Sequence, residues 1–260
     1  MRYYAVRQLF DNNRAGYLEF CRDVSNLEMN DGSFVMSRIL YTLCGADSNI
    51  PFSPHCWKVV LALRHKGLSF QERPVRFTEI ASVENGFSKT VPVLKDGDKL
   101  VADSFAIALY LEQTYPERPS LFKGEGGLSM ARFIEAWSAA TLHPAITRIA
   151  VKQIHDMLAP GDQAYFRSSR EKRLGATLEE IATGREAEMA AFPEKLTPLR
   201  TMLTFQPFLG GHEPLFADYI VFGALQWAAQ TGNRALLDPN DPVTNWFERC
   251  AEFASDQLAI

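Results

Sequence analysis

One stretch constrains this chain more than any other: an apolar run from Ile39 to Cys44, then the loop Gly45 to Phe52, then a helix whose start and stop are both written in the sequence. Ser53 is a favourable N-cap, and Pro54 suits the first helical position because its missing N–H would have had no partner there. Cys56, Val59, Val60 and Leu63 recur at spacings of three and four, whereas His55, Lys58, Arg64 and His65 fall largely on the other side. That spacing predicts one buried stripe and one wet one. Arg64, His65 and Lys66 crowd the last turn and Gly67 follows, which marks a helix end. The run Phe70 to Phe77 reads as a second strand, so the unit is β-α-β with an expected right-handed crossover.

Residues 78 to 90 read as an irregular connector. In Thr90-Val91-Pro92-Val93-Leu94 a proline interrupts an apolar strand pattern; it cannot donate to a ladder, so it belongs at a strand start, where cis X-Pro bonds are found. Asp96-Gly97 signals a hairpin, Leu100-Val101-Ala102 the returning strand, and Asp103-Ser104 the start of a helix carrying Phe105, Ala108, Leu109 and Leu111 and ending around Pro116. The order β-α-β, connector, β-β-α accounts for one α/β domain, assigned to residues 36–122. Residues 1–35 show no sustained pattern and read as an extension, or a misassigned start, to which no role is assigned.

Lys123-Gly124-Glu125-Gly126-Gly127 is a break in composition, and the domain boundary is placed there. Beyond it the strand signal vanishes. Met130, Phe133, Ile134 and Trp137 begin an apolar stripe expected to kink at Pro144; residues 164 to 191 read as exposed helices. Ala217, Ile220, Val221, Ala224, Leu225 and Ala228 mark a central helix, and Trp246, Phe247, Cys250 and Phe253 the last. Residues 128–260 are therefore expected to form an all-α domain.

Elimination narrows the chemistry. With 27 basic against 31 acidic residues, the net charge of −4 gives no basic footprint for nucleic acid. No apolar run is long enough to span a bilayer, and no secretory signal or N-x-S/T sequon occurs. Cys21, Cys44, Cys56 and Cys250 are few and scattered, which suits a reducing compartment; the expected location is cytoplasmic. No G-x-S-x-G, Walker A or H-E-x-x-H element is present, and the five histidines show no metal-ligand spacing, so surface or packing roles are expected of most.

What remains is the junction at Ser53. A helix N-terminus offers unpaired N–H groups and partial positive charge, which stabilise a thiolate or carboxylate in front of it. The spacing Ser53-x-x-Cys56 is that of a thioredoxin-type Cys-x-x-Cys with serine at the exposed position. A serine cannot exchange disulfides, but it can hydrogen-bond to a thiolate brought by a cofactor. The plainer role, a helix cap and nothing more, stays open from these residues alone.

Taken together, Ser53-Pro54-His55-Cys56-Trp57, Thr90-Val91-Pro92-Val93-Leu94 and Ala102-Asp103-Ser104-Phe105-Ala106-Ile107, in that order and spacing, make the chain resemble the cytosolic glutathione transferases over roughly residues 38 to 255. Within that superfamily, Tyr165-Phe166-Arg167-Ser168-Ser169-Arg170-Glu171, Thr183-Gly184-Arg185-Glu186 and Phe216-Ala217-Asp218-Tyr219 look most like the bacterial glutathione-dependent β-aryl etherases and related fungal-type enzymes. The resemblance implies a thioredoxin-like α/β domain followed by an all-α domain, glutathione as co-substrate, no metal, and a homodimer. It implies a cis-proline at Pro92, with the Val91 N–H and C=O pairing with the cysteinyl part of glutathione like an added strand. By the same resemblance Asp103 and Ser104 hold the γ-glutamyl ammonium and carboxylate, Lys89 the glycine carboxylate, and Ser53 donates to the sulfur. The acceptor is then a hydrophobic, aromatic electrophile, conjugated or cleaved at an ether, between the Gly45 to Phe52 loop and the first helices of the second domain, near Trp137.

Two departures matter. Family members often carry Ser or Thr three residues before the aspartate of a capping box in the second domain; here Leu215 precedes Asp218, so half of that box survives and Asp218 is read as a folding element. Cys56 inside the motif keeps a thiol reductase in play, and a non-enzymatic binding protein on the same fold is the other competitor.

Overall fold

The computed structural model describes residues 27–30, 33–36 and 38–256. Most of the 1–35 extension, residues 1–26, lies outside the described residues. At the end of the extension, where the sequence shows no pattern, β1 (Leu27–Asn30) and β2 (Ser33–Met36) pair as an antiparallel hairpin that reaches one residue past its boundary. The first sheet of the α/β unit is built from β3 (Arg38–Leu43), β4 (Gln71–Val75), β5 (Val93–Asp96) and β6 (Lys99–Ala102) in the order β4-β3-β5-β6. β3 and β4 run parallel, as the β-α-β reading requires, while β5 lies antiparallel to both β3 and β6. Leu40, Thr42 and Leu43 are all buried, which is why β3 reads as a continuous apolar run rather than an alternating one. Pro74 sits in β4, at the sheet edge, where a missing donor does least harm. The connector after β4 is not irregular throughout: Phe77–Gly86 winds as 3₁₀ helix, broken at Val83 to Asn85.

Helix α1 (Pro54–His65) starts and stops where its caps say. At its end the Gly67 N–H bonds to the Arg64 carbonyl and the Leu68 N–H to the Leu63 carbonyl, a Schellman closure that uses Gly67 at φ 62°. Its wet stripe is a correction to the sequence reading: no residue of α1 is exposed, and Lys58 is only 1% accessible. The reason is tertiary. The helix Phe216–Ala228 crosses α1 so closely that a Cβ on Gly223 would lie 2.4 Å from the Pro54 carbonyl oxygen. The cations therefore needed partners: Lys58 Nζ lies 2.9 Å from Glu135, and Lys66 Nζ 2.6 Å from Glu112.

Helix α2 (Ser104–Thr114) completes the α/β unit, and every element of regular secondary structure after it among the described residues is helical. In order come α3 (Glu125–Trp137), α4 (His143–Asp156), α5 (Pro160–Leu174), α6 (Leu178–Thr183), α7 (Arg185–Lys195), α8 (Thr197–Met202), α9 (Phe216–Ala228) and α10 (Pro242–Asp256). Gly126 and Gly127 fall inside the first turn of α3. The kink expected at Pro144 appears as a π-helical turn, Ser138–Leu142, which accommodates the missing proline donor. Helix α9 is the centre of this half and is buried on almost every side. Asp218 holds its N-terminus: the carboxylate accepts from the backbone N–H of Leu209, Gly210 and Leu215 and from Trp246 Nε1, at 2.7 to 3.0 Å. Half a capping box thus becomes a buried hub, consistent with a role in folding. No helix among the described residues is long and apolar enough to cross a membrane.

Candidate functional site

Where the two halves meet lies a cavity of about 780 Å³, and Ser53, Lys89, Val91, Asp103 and Ser104 all border it. Residues that are far apart in the chain are brought together because β5 lies beside β3 and both α1 and α2 present their N-terminal ends to the same space.

Ser53 is 5% exposed and caps α1, its Oγ accepting from the Cys56 N–H at 3.4 Å. That contact occupies a lone pair and leaves the hydroxyl proton available to an acceptor in the cavity. Asp103 caps α2 through Oδ1, which accepts from the N–H of Phe105 and Ala106 at 3.0 and 2.9 Å. Its backbone sits at φ 75°, ψ 128°, a conformation that costs a non-glycine residue about 1–3 kcal/mol and that marks functional sites more often than chance. Ser104 is buried beside it, and Lys89 is exposed at the rim with no ion pair among the described residues. The Val91–Pro92 peptide is cis, and among the described residues the Val91 N–H and C=O enter no hydrogen bond. A strand-like backbone, two helix N-termini and a carboxylate therefore converge on one surface, which fits an extended peptide bearing its own ammonium and carboxylates.

Cys56 stands apart from this surface. It is 1% exposed, and burial pushes its thiol up to about 12, so no thiolate is available for exchange. Cys44 and Cys250 are buried free thiols as well.

The opposite wall differs from the sequence expectation. Trp137 does not border the cavity; it packs against the core at the end of α3. The π turn that follows breaks the 3.6-residue spacing, and Ala139 and His143 reach the cavity instead. Of the Gly45 to Phe52 loop only Phe52 contributes, because the loop docks on the end of α4, with the Ala46 N–H bonded to the Met157 carbonyl at 2.9 Å. The aromatic surface is made by Phe77, Tyr165, Phe166 and Trp227. Phe77 packs 5.7 Å from Phe166 and 6.0 Å from Tyr165, ring centre to ring centre.

Two histidines that no motif or spacing singles out also line the cavity. The His55 and His143 rings are 5.2 Å apart, and His55 Nδ1 lies 3.2 Å from Lys58 Nζ. Burial, then the charge of Lys58, lowers His55 to about 3 and His143 to about 4, so both rings are neutral near pH 7. No spacing signal could have found this pair, since they meet only when α4 packs over the start of α1.

With this geometry in place, comparison with known proteins is informative. Residues 48–119 match the family "Glutathione S-transferase, N-terminal domain" and residues 129–253 "Glutathione S-transferase, C-terminal domain". The chain is 42% identical over 69 residues to glutathione S-transferase Z1 of Arabidopsis thaliana, a match covering 25% of this chain and 31% of that protein, so it spans about a third of the length of the plant relatives it matches. It is 24% identical over 221 residues to a glutathione S-transferase-like protein of Aspergillus flavus, covering 73% of this chain and 78% of that one. A glutathione transferase of Phanerochaete chrysosporium superposes with a TM-score of 0.75 at 27% identity, over 84% of this chain and 98% of that one. A glutathione S-transferase of Ceriporiopsis subvermispora, solved with glutathione, superposes at 0.72 with 21% identity, over 85% and 99%.

Proposed function

The chain belongs to the glutathione S-transferase superfamily, and from that premise we propose that it activates the thiol of glutathione for attack on a hydrophobic aromatic electrophile. The observation that carries the reading is the convergence of Ser53, Val91, Asp103 and Ser104 on one cavity whose far wall is aromatic.

In this reading Val91 offers its N–H and C=O to the cysteinyl unit of glutathione. Asp103 Oδ2, free of the cap, receives the γ-glutamyl ammonium, and Ser104 with the α2 N-terminus receives the adjoining carboxylate. Lys89 faces the glycine carboxylate. Ser53 donates its proton to the sulfur, assisted by the α1 N-terminus. A free thiol with a pKa of about 8.5 is mostly protonated at neutral pH. One charge-assisted hydrogen bond, about 1.5–3 kcal/mol, raises the thiolate fraction roughly ten- to a hundredfold. The thiol proton passes to solvent, sulfur forms the new bond to carbon, and the leaving group departs with its electron pair. The aromatic wall suits an aryl halide or a β-aryl ether, the etherase activity being the narrower form of the proposal. The complex of the Ceriporiopsis subvermispora relative with glutathione supports the choice of co-substrate. A homodimer in a cytoplasmic setting completes the reading.

A reductase using Cys56 is disfavoured by its burial and its high thiol pKa. A scaffold without activity would have no use for Ser53 and Asp103 together on one wall. Isothermal titration with reduced glutathione, on the native protein and on Asp103→Ala, tests the proposal. Micromolar to millimolar binding that weakens in the variant is the expected result; no binding to the native protein would overturn it.

A further inference from the structure

The acceptor side of the cavity carries more cations than carboxylates among the described residues. Lys89, Arg148, Arg170 and Arg173 border the cavity against a single carboxylate, Asp103, although the whole chain carries a net charge of −4. On the reading above, Lys89 and Asp103 are engaged by glutathione. Arg148 is mostly exposed and reaches Glu188 at 3.4 Å. Arg170 and Arg173 remain, one turn apart on α5, and neither forms an ion pair among the described residues.

The same helix shows what an arginine with a structural role looks like. Arg167 binds Glu171 at 2.9 Å and Glu179 at 2.8 Å. Arg170 instead lies half-buried against aromatic rings, its guanidinium carbon 4.6 Å from the Phe166 centroid and 5.4 Å from that of Phe77. One nitrogen donates to Ser169 Oγ at 2.9 Å. A guanidinium has five donors, so most of its hydrogen-bonding capacity stays open toward the cavity. Burial, and then the charge of Arg173, lower the Arg170 pKa to about 10. Like charges one helical turn apart repel, and a desolvated cation without a counter-charge is unfavourable; an anion arriving between them relieves both costs.

We propose that Arg170 and Arg173 form an anion-binding subsite in the acceptor half of the cavity, so that the preferred acceptor is an aromatic electrophile bearing a carboxylate. The proposal rests on the transferase reading for the word acceptor, but not for the subsite itself. Phe77 and Phe166 hold the ring, and the guanidinium stacked on them meets the carboxylate in the plane of that ring.

The test uses matched probes: 3,5-dinitrobenzoate and its neutral amide, which have no leaving group, and the 4-chloro derivatives of both. With the chloro compounds the glutathione thiolate displaces chloride, forming C–S and breaking C–Cl with its electron pair. The native protein is expected to bind the inert benzoate about tenfold or more tightly than the amide, the size of one charge-assisted hydrogen bond. Arg170→Met and Arg173→Met should each cut that preference, and the double variant should abolish it, while Lys172→Met, which removes a neighbouring charge outside the cavity, should leave it intact. Glutathione affinity should be unchanged in all of them. Equal binding of benzoate and amide, a preference that survives the double variant, or variants that weaken glutathione alone would each overturn the subsite. A carboxylate preference in binding with no turnover of either chloro compound would uphold the subsite and count against the transferase reading.

Discussion

The two walls of the cavity are built on different principles. The wall of the α/β half is made of backbone: two helix N-termini, a strand edge at Val91, and short side chains, Ser53, Asp103 and Ser104, whose positions follow from capping. The facing wall is made of long side chains, Tyr165, Phe166, Arg170 and Trp227 of the helical half with Phe77 from the connector after β4, whose positions follow from how these elements pack on one another. The first kind of wall suits a constant ligand, because a cap tolerates few residue types. The second can change one side chain at a time without moving an element.

The strongest challenge to this contrast is to remove what keeps the helical half in place. Asp218→Ala leaves three backbone donors and Trp246 without their acceptor, and a loss of at least about 3 kcal/mol is expected in chemical denaturation. Should glutathione affinity survive in the fraction that remains folded, the backbone wall stands independently of its neighbour.

Acid probes the seam itself. His55 and His143 are held well below the ordinary histidine range, so between pH 6.5 and about 4 the unfolded chain binds protons that the folded chain refuses. Stability should be fully present above pH 6.5 and fall as the pH drops, by up to about 1.4 kcal/mol per pH unit for each ring. Denaturation midpoints at pH 7.5 and 5.0 measure this; a flat profile would mean that the rings are solvated.

Ser53→Ala sharpens the catalytic half of the comparison. It should lower kcat/KM for an aryl chloride roughly ten- to a hundredfold, with glutathione affinity nearly unchanged and about 1 kcal/mol of cap stability lost. A rate that holds steady would reduce Ser53 to a cap. The smallest and most diagnostic effect is that of Asp103→Gly. Glycine accepts φ 75° freely, so relief of strain offsets the lost cap and the net change in stability should stay within about 1 kcal/mol, while glutathione binding weakens about tenfold. Titration calorimetry beside a melt separates the two readouts.

The contrast between the walls explains what could be read in advance. The caps at Ser53 and Asp103 and the proline at the start of β5 were legible because caps and X-Pro steps are local events, written within a few residues of the position they govern, whereas the ligand roles proposed for Ser53, Lys89, Val91, Asp103 and Ser104 rest on the family resemblance. The Trp137 expectation failed because the spacing of α3 places Trp137 on a stripe but does not say whether that stripe meets the core or the cavity, and it packs on the core. Lys58 was assigned to water because the sequence of α1 shows an amphipathic pattern but says nothing of α9, which covers its polar side. Phe77 and Phe166 touch across 89 positions, His55 and His143 across 88, and neither pair leaves any periodic trace.

By itself, then, the sequence determined the order of the main elements and the caps that end them, since a cap depends on hydrogen bonds closed within a turn or two. Tertiary structure alone decided which cations found carboxylates, which histidines were driven neutral, and which side chains became the aromatic wall. Burial and charge pairing are properties of neighbours distant in the chain, and only packing chooses the neighbours.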